Sequence, residues 1–191
     1  MTVTTQAETP ATPTPTSGND DLAATIGRIA SEMANDWISP GDLAALRRAR
    51  FESATDPAFW RLAMRHLEPA GLLRGEEDER RWLQILGGMA AMKGLHRKGA
   101  RPGRVLAEAE VAEARVLRLL RAHGETLHPV LRAVVHQLAS GGRAIDWTGL
   151  AELILSDGKP RWEEKARRRV ARDYYRALGR RSVQTESERE G

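Results

Sequence analysis

The chain has 191 residues, of which 41% are hydrophobic and 29% charged, with a formal net charge of +4 and no cysteine. That length supports one domain, or two small ones, with a sizeable core. Without cysteine no disulfide framework exists, which fits a cytoplasmic protein. No apolar run reaches the roughly 18 residues of a membrane-spanning helix, and the first residues lack the basic start and apolar stretch of a secretory signal.

Residues 1–19, "MTVTTQAETPATPTPTSGN", are rich in Thr and Pro and poor in large apolar side chains. They cannot bury enough surface to offset the entropy of ordering, so a disordered N-terminal tail is expected. A first helix is predicted from about Asp20 to Asp36, with Leu22, Ile26, Ile29 and Met33 on one face. "SPGD" breaks the chain, and Asp42 is read as the cap of a short helix, "LAALRRAR". In "TDPAFWRLAMRHL", Asp56 suits an N-cap and Pro57 the first helical position, where a missing N–H costs nothing. Four acids, Glu76, Glu77, Asp78 and Glu79, open a helix over 76–95 and complement its N-terminal dipole.

"HRKGARPG" reads as a loop from its Gly and Pro content. Helices are then predicted over about 104–109, 111–122, 127–139 and 147–156, the last capped by Asp146. "SDGKP" separates it from a helix over 161–178, and residues 182–191 read as a frayed, flexible end. The fold class is all-α, a compact bundle of about seven to nine helices over residues 20–181. A division into sub-bundles of about 20–100 and 104–181 is one option. Trp60, Trp82, Trp147, Trp162, Tyr174 and Tyr175 fall mostly on apolar faces and are assigned to core packing.

Charge is unevenly distributed. Residues 20–100 and 101–158 each balance to zero, whereas residues 159–181 hold ten bases against three acids, a net +7. On a helical wheel at about 100° per residue, Ala166, Val170, Tyr174 and Leu178 share an apolar side. Arg161, Lys165, Arg168, Arg169, Arg172 and Arg176 occupy roughly one third of the circumference, while Glu163, Glu164, Asp173 and Arg167 lie outside that arc. A face stabilised by ion pairs would interleave its signs. A uniformly positive arc carries like-charge repulsion that a polyanion would relieve. Arg97, Lys98, Arg101 and Arg104 form a second cluster without acids, on a backbone whose glycines permit close approach to phosphate. Arg47, Arg48 and Arg50 form a third, on a short helix. An ordinary solvated face, a helix docking on an acidic protein partner in a scaffold, and attachment to an anionic membrane surface are the competing readings of such bases.

Recognisable catalytic chemistry is missing. No glycine loop with phosphate-binding spacing is present, and His66, His96, His123, His128 and His136 match no metal-binding spacing. Serine and cysteine nucleophile signatures are absent. The chain is therefore expected to be no enzyme, with neither cofactor nor metal.

The order of motifs then resembles a known family. "LRRAR" followed by "TDPAFWRLAMRHL" is similar to the first signature of the CasB family, the small subunit of the type I-E CRISPR surveillance complex, Cascade. "RWLQILGGMAAM", "RPGRVLAEAEVAEARVLRLLRA", "LHPVLRAVVHQLASGG", "IDWTGLAELIL" and "RRRVARDYYRAL" follow in the family's order, so the resemblance runs from about Leu43 to Leu178. The chain departs from the family pattern at Pro102, where Leu is usual before Gly-Arg, and at Ser156-Asp157, where aromatics are usual. The resemblance implies an all-helical, non-enzymatic subunit, present with a second copy of itself beside the large subunit and the backbone subunits. There, guide RNA pairs with target DNA and the other DNA strand is displaced. It further implies that basic surfaces hold nucleic acid without reading sequence. Arg47 and Arg48 match a basic pair of the first signature, Arg104 the Arg of a Gly-Arg motif, and Lys159 and Arg161 the basic start of the last helix.

Overall fold

A computed structural model of the chain describes residues 18–49 and 56–189; most of the expected N-terminal tail and Arg50 lie outside the described residues. Within them the chain forms nine α-helices: α1 Gly18–Ala34, α2 Pro40–Arg48, α3 Pro57–Leu62, α4 Glu76–Ala91, α5 Pro102–Glu108, α6 Glu113–Arg121, α7 Leu127–Ser140, α8 Trp147–Leu155 and α9 Pro160–Arg189. The all-α expectation holds. Among the described residues the one β-type pairing is an isolated parallel bridge between His96 and Ile145.

Helix starts follow local chemistry. Asp56 Oδ1 accepts the Ala58 N–H at 2.8 Å and Asp146 Oδ1 accepts the Thr148 N–H at 3.0 Å, both as expected of N-caps. Asp42 is not the cap of α2. Ser39 is, accepting the Asp42 N–H at 3.0 Å, with Pro40 at the first helical position. The pair Ser39-Pro40 thus repeats the device of Asp56-Pro57, and Asp42 instead pairs with Arg61 at 2.5 Å. Helix α3 widens into a π-helical turn over Ala63–Leu67, which ends with His66 and Leu67 both buried. At the other end of the chain, α9 stays helical through Arg189, beyond the predicted frayed boundary.

One apolar cluster joins side chains from α1 to α9, with Trp82, Trp147, Phe59, Ile26, Ile29 and Leu86 among its fully buried members. Full burial of side chains of this size contributes about 1.5–3 kcal/mol each. The Trp82 indole N–H is satisfied by the Leu72 carbonyl at 2.8 Å. Two aromatics assigned to the core are not there: Trp162 is 66% exposed and Tyr175 44% exposed. Trp162 lies on the first turn of α9 with the Lys165 ammonium 5.7 Å from its ring centroid, whereas Tyr175 spends its hydroxyl on Glu113 Oε1 at 2.6 Å.

The most extensive helix contact is α5 against α9, and Gly103 makes it possible. A Cβ there would stand 2.1 Å from the Val170 carbonyl oxygen and 2.7 Å from the Tyr174 nitrogen. These are backbone atoms, so the clash cannot be relieved by a rotamer change; the two helices would have to separate. The neighbouring Pro102 ring packs on Gly149, where a Cβ would meet it at 2.8 Å. The departure from the family's usual Leu at position 102 is thereby accommodated by a helix N1 proline seated on α8. Gly103→Ala is expected to destabilise by about 1–3 kcal/mol, read as a fall in Tm of about 2–4 °C per kcal/mol for a chain of this size.

Candidate nucleic-acid interface

The loop between α4 and α5 carries Arg97, Lys98 and Arg101 of the second basic cluster, and it is pinned. The Arg97 N–H donates to the Ile145 carbonyl at 3.1 Å, the Ile145 N–H to the Leu95 carbonyl at 3.0 Å, and the Asp146 N–H to the Ala100 carbonyl at 2.8 Å. Asp146 Oδ2 accepts the Gly99 N–H at 2.7 Å, so one carboxylate caps α8 and fixes the loop. Gly99 sits at φ +81°, a left-handed conformation that favours glycine. The loop presents Lys98 and Arg101 in a set position rather than on a loose chain.

That position faces α9. Lys98 and Arg101 from the loop, and Arg169 and Arg172 from α9, border a groove of about 580 Å³ whose floor includes Gly103, Gly149 and Asp173. The sequence assigned these four bases to two separate clusters; the α5–α9 approach at Gly103 brings them together. The acids of the groove are recessed. Asp173 is 5% exposed, and the Arg101 and Arg172 guanidinium groups reach it only at 3.7 and 4.0 Å. Arg169 is tied to Glu152. The positive ends thus stand at the solvent boundary and the negative ends below it. An incoming phosphate meets cations first.

The remaining predicted bases do not line this groove. Arg161 and Lys165 are exposed on the first turns of α9, with the Lys165 ammonium 5.7 Å from the Trp162 ring centroid. Arg168 is exposed but paired with Glu164 at 2.6 Å, and Lys159 lies 3.8 Å from Asp78. Arg48, Arg97, Lys98, Arg161 and Arg176 are exposed and have no ion-pair partner among the described residues. Arg47 and Arg48 are not part of the groove. Arg47 lines a different cleft, with His128 and Arg132, and its Nε–H donates to the Ala90 carbonyl at 2.9 Å. Arg104 is also elsewhere, held by Glu108 at 2.6 Å in a recess it shares with Arg180 and Arg181. The hydrogen bond to Glu108 raises the Arg104 pKa further, so this side chain is cationic at any working pH. Sequence reasoning did not single out Arg180 and Arg181, although both fall inside the +7 segment, because the wheel ended at Leu178.

One base is spent internally. Arg167 donates to the Ala122 carbonyl at 2.8 Å and to the Leu120 carbonyl, and its Nε lies 2.9 Å from Glu163 Oε1, an ion pair without hydrogen-bond alignment. Its Nη2 is 3.5 Å from Asp157 Oδ1. His123, Asp157 and Glu163 converge here closely enough to outline a metal cluster, but the Arg167 guanidinium already stands beside both carboxylates and offsets one of their two negative charges.

His96 lines the groove, and its Nδ1 accepts the Trp147 N–H at 3.3 Å. Burial pushes its pKa down, partly opposed by Asp146, and burial likewise lowers His128. In both cases the unfolded chain binds protons more readily than the folded one. Stability is therefore fully expressed above the ordinary histidine value of about 6.5 and is lost as pH falls below it and through the lowered folded values. Thermal unfolding between pH 7.5 and 5.5 is expected to show Tm falling with pH, and His96→Asn, which keeps an acceptor without the titration, to flatten part of that fall.

Comparison with known proteins places the chain in a family. The model of the CRISPR-associated protein Cse2 family matches residues 42–175. The chain belongs to the Cse2 family. No curated protein sequence matches it significantly. Among solved structures, CasB from Thermobifida fusca is similar at 17% identity and TM-score 0.66, over 81% of this chain and 97% of that one. A chain of E. coli Cascade bound to a PAM-containing double-stranded DNA target is similar at 23% identity and TM-score 0.59, over 78% of this chain and 96% of that one. A chain of a CRISPR RNA-guided surveillance complex is similar at 24% identity and TM-score 0.63, over 88% of this chain and 99% of that one. These likenesses show that this Cse2 protein has the CasB fold along nearly the whole length of the compared chains. No helix among its described residues is long and apolar enough to cross a membrane.

Proposed function

We propose that this Cse2 protein is the non-catalytic small subunit of a type I-E Cascade complex, and that its groove holds nucleic-acid backbones without reading base sequence. The observation that carries this reading is the arrangement of Lys98, Arg101 and Arg172 outside a recessed Asp173. Cations at the solvent boundary attract any sugar–phosphate chain. No cleft-lining set of base-reading amides accompanies them. Arg suits the task because its fork can hold two phosphate oxygens at once.

The role in the complex is stabilisation of the R-loop, on the target strand, the displaced strand, or both. Exchange of a DNA duplex for an RNA–DNA heteroduplex is nearly balanced in energy, so a few phosphate contacts shift it. The partners of this reading are the large and backbone subunits, a second copy of the chain, guide RNA and target DNA. Arg47, Arg48 and Arg104, outside the groove, are assigned to further backbone contacts or to neighbouring subunits. Binding of two unrelated single-stranded oligonucleotides of equal length tests the reading. Equal affinities that fall steeply with salt are expected. Absence of binding at low salt would indicate instead a scaffold whose basic helix docks on an acidic protein.

A further inference from the structure

Trp162 is 66% exposed at the start of α9, and its surroundings are cationic. Arg161 and Lys165 flank it on the same two turns, and the Lys165 ammonium lies 5.7 Å from the ring centroid. A single exposed apolar side chain is ordinary on a protein surface, but the placement of this one is not arbitrary. On the helix it falls on the stripe of Ala166, Arg169 and Asp173, residues that border the groove. Seven residues separate it from Arg169, about 10 Å along the helix axis. An indole in line with a phosphate-holding groove, with cations beside it, has the makings of a single-strand binding platform: backbone attraction plus a flat face on which any base can stack.

We propose that Trp162 stacks on an unpaired nucleobase of the strand whose phosphates lie in the groove, so that the site favours single-stranded over duplex nucleic acid. This inference rests on the function proposed above and adds a base-contacting residue to it. A base still paired within a duplex offers no free face to the indole, whereas an unpaired base can turn onto it. The stack is indifferent to base identity, which keeps the site free of sequence preference.

The test compares the full-length chain with Trp162→Ala and Trp162→Phe on three ligands: oligothymidylate, a matched strand with abasic positions, and a duplex. Trp162→Ala is expected to weaken oligothymidylate binding by about 5- to 100-fold, with Phe retaining most of the affinity and Tm unchanged. Affinity for the abasic strand and for the duplex should be unaffected by either substitution. Equal losses on all three ligands, or no loss on any while salt-dependent binding persists, overturn the stack and leave the groove standing. A defect confined to assembly with other subunits overturns it in favour of a protein contact. A wild-type chain that binds none of the three ligands overturns both the stack and the groove.

Discussion

Replacing Arg167 by Ala is expected to cost about 3–5 kcal/mol of stability, the magnitude seen when one member of a buried charge pair is removed. The side chain is 12% exposed, and the Glu163 and Asp157 side chains beside it are 11% and 13% exposed. Its fork also caps the end of α6 by donating to two carbonyls, Leu120 and Ala122, groups that have no partner within the helix. The substitution leaves two recessed carboxylates facing each other and two carbonyls without a donor. Arg167→Lys should recover little, since a point charge on a flexible stem cannot reach four acceptors on three elements. Combining Arg167→Met with Glu163→Gln removes charge from both sides and should restore part of the loss. Denaturant unfolding of the three variants checks the ranking; equal stability of wild type and Arg167→Ala would contradict it.

The second large effect concerns binding. Lys98→Ala, Arg101→Gln and Arg172→Gln together remove three cations from the groove while keeping polar length at two of them. Each phosphate neutralised on a single strand contributes about 0.7 to the slope of log affinity against log salt. Loss of three contacts should lower that slope by about 2 and weaken binding on the order of 100-fold at 0.1 M salt. The fold should survive, because Lys98 is exposed and the Arg101 and Arg172 side chains are 64% and 62% exposed. Retention of the R-loop in the assembled complex should fall with the same salt dependence. Arg→Gln substitutions at Arg61, Arg65 and Arg74, exposed bases that do not line the groove and are assigned no nucleic-acid contact, remove equal charge, and a comparable loss there would show that net charge alone governs binding.

Much of the fold could be read from sequence because its signals are local. Asp56-Pro57 and Asp146 cap helices through contacts two residues away, and the 3.6-residue apolar period of α1, α4 and α9 needs no knowledge of partners. The misreading of Asp42 as a cap came from weighing the acid above Ser39, although Ser39-Pro40 has the same logic as Asp56-Pro57. Trp162 was assigned to the core because the wheel shows which side of a helix is apolar, not how far along that side a neighbour extends. Val170 and Tyr174 meet α5; Trp162, two turns earlier, meets solvent. The groove was half legible. Both of its basic strips were visible, but residues 98 and 172 are brought together by the missing side chain of Gly103, a tertiary fact with no local signature.

Lysine footprinting gives the most direct test of the groove as the nucleic-acid site. The chain has lysines only at 93, 98, 159 and 165, and Lys93 lies away from the groove, paired with Asp36. With a saturating single-stranded oligonucleotide, Lys98 and Lys165 are expected to be protected from acylation and Lys93 to react as in the free protein. Protection of Lys93 with Lys98 fully reactive, or equal reactivity of all four while the oligonucleotide is bound, would contradict the account.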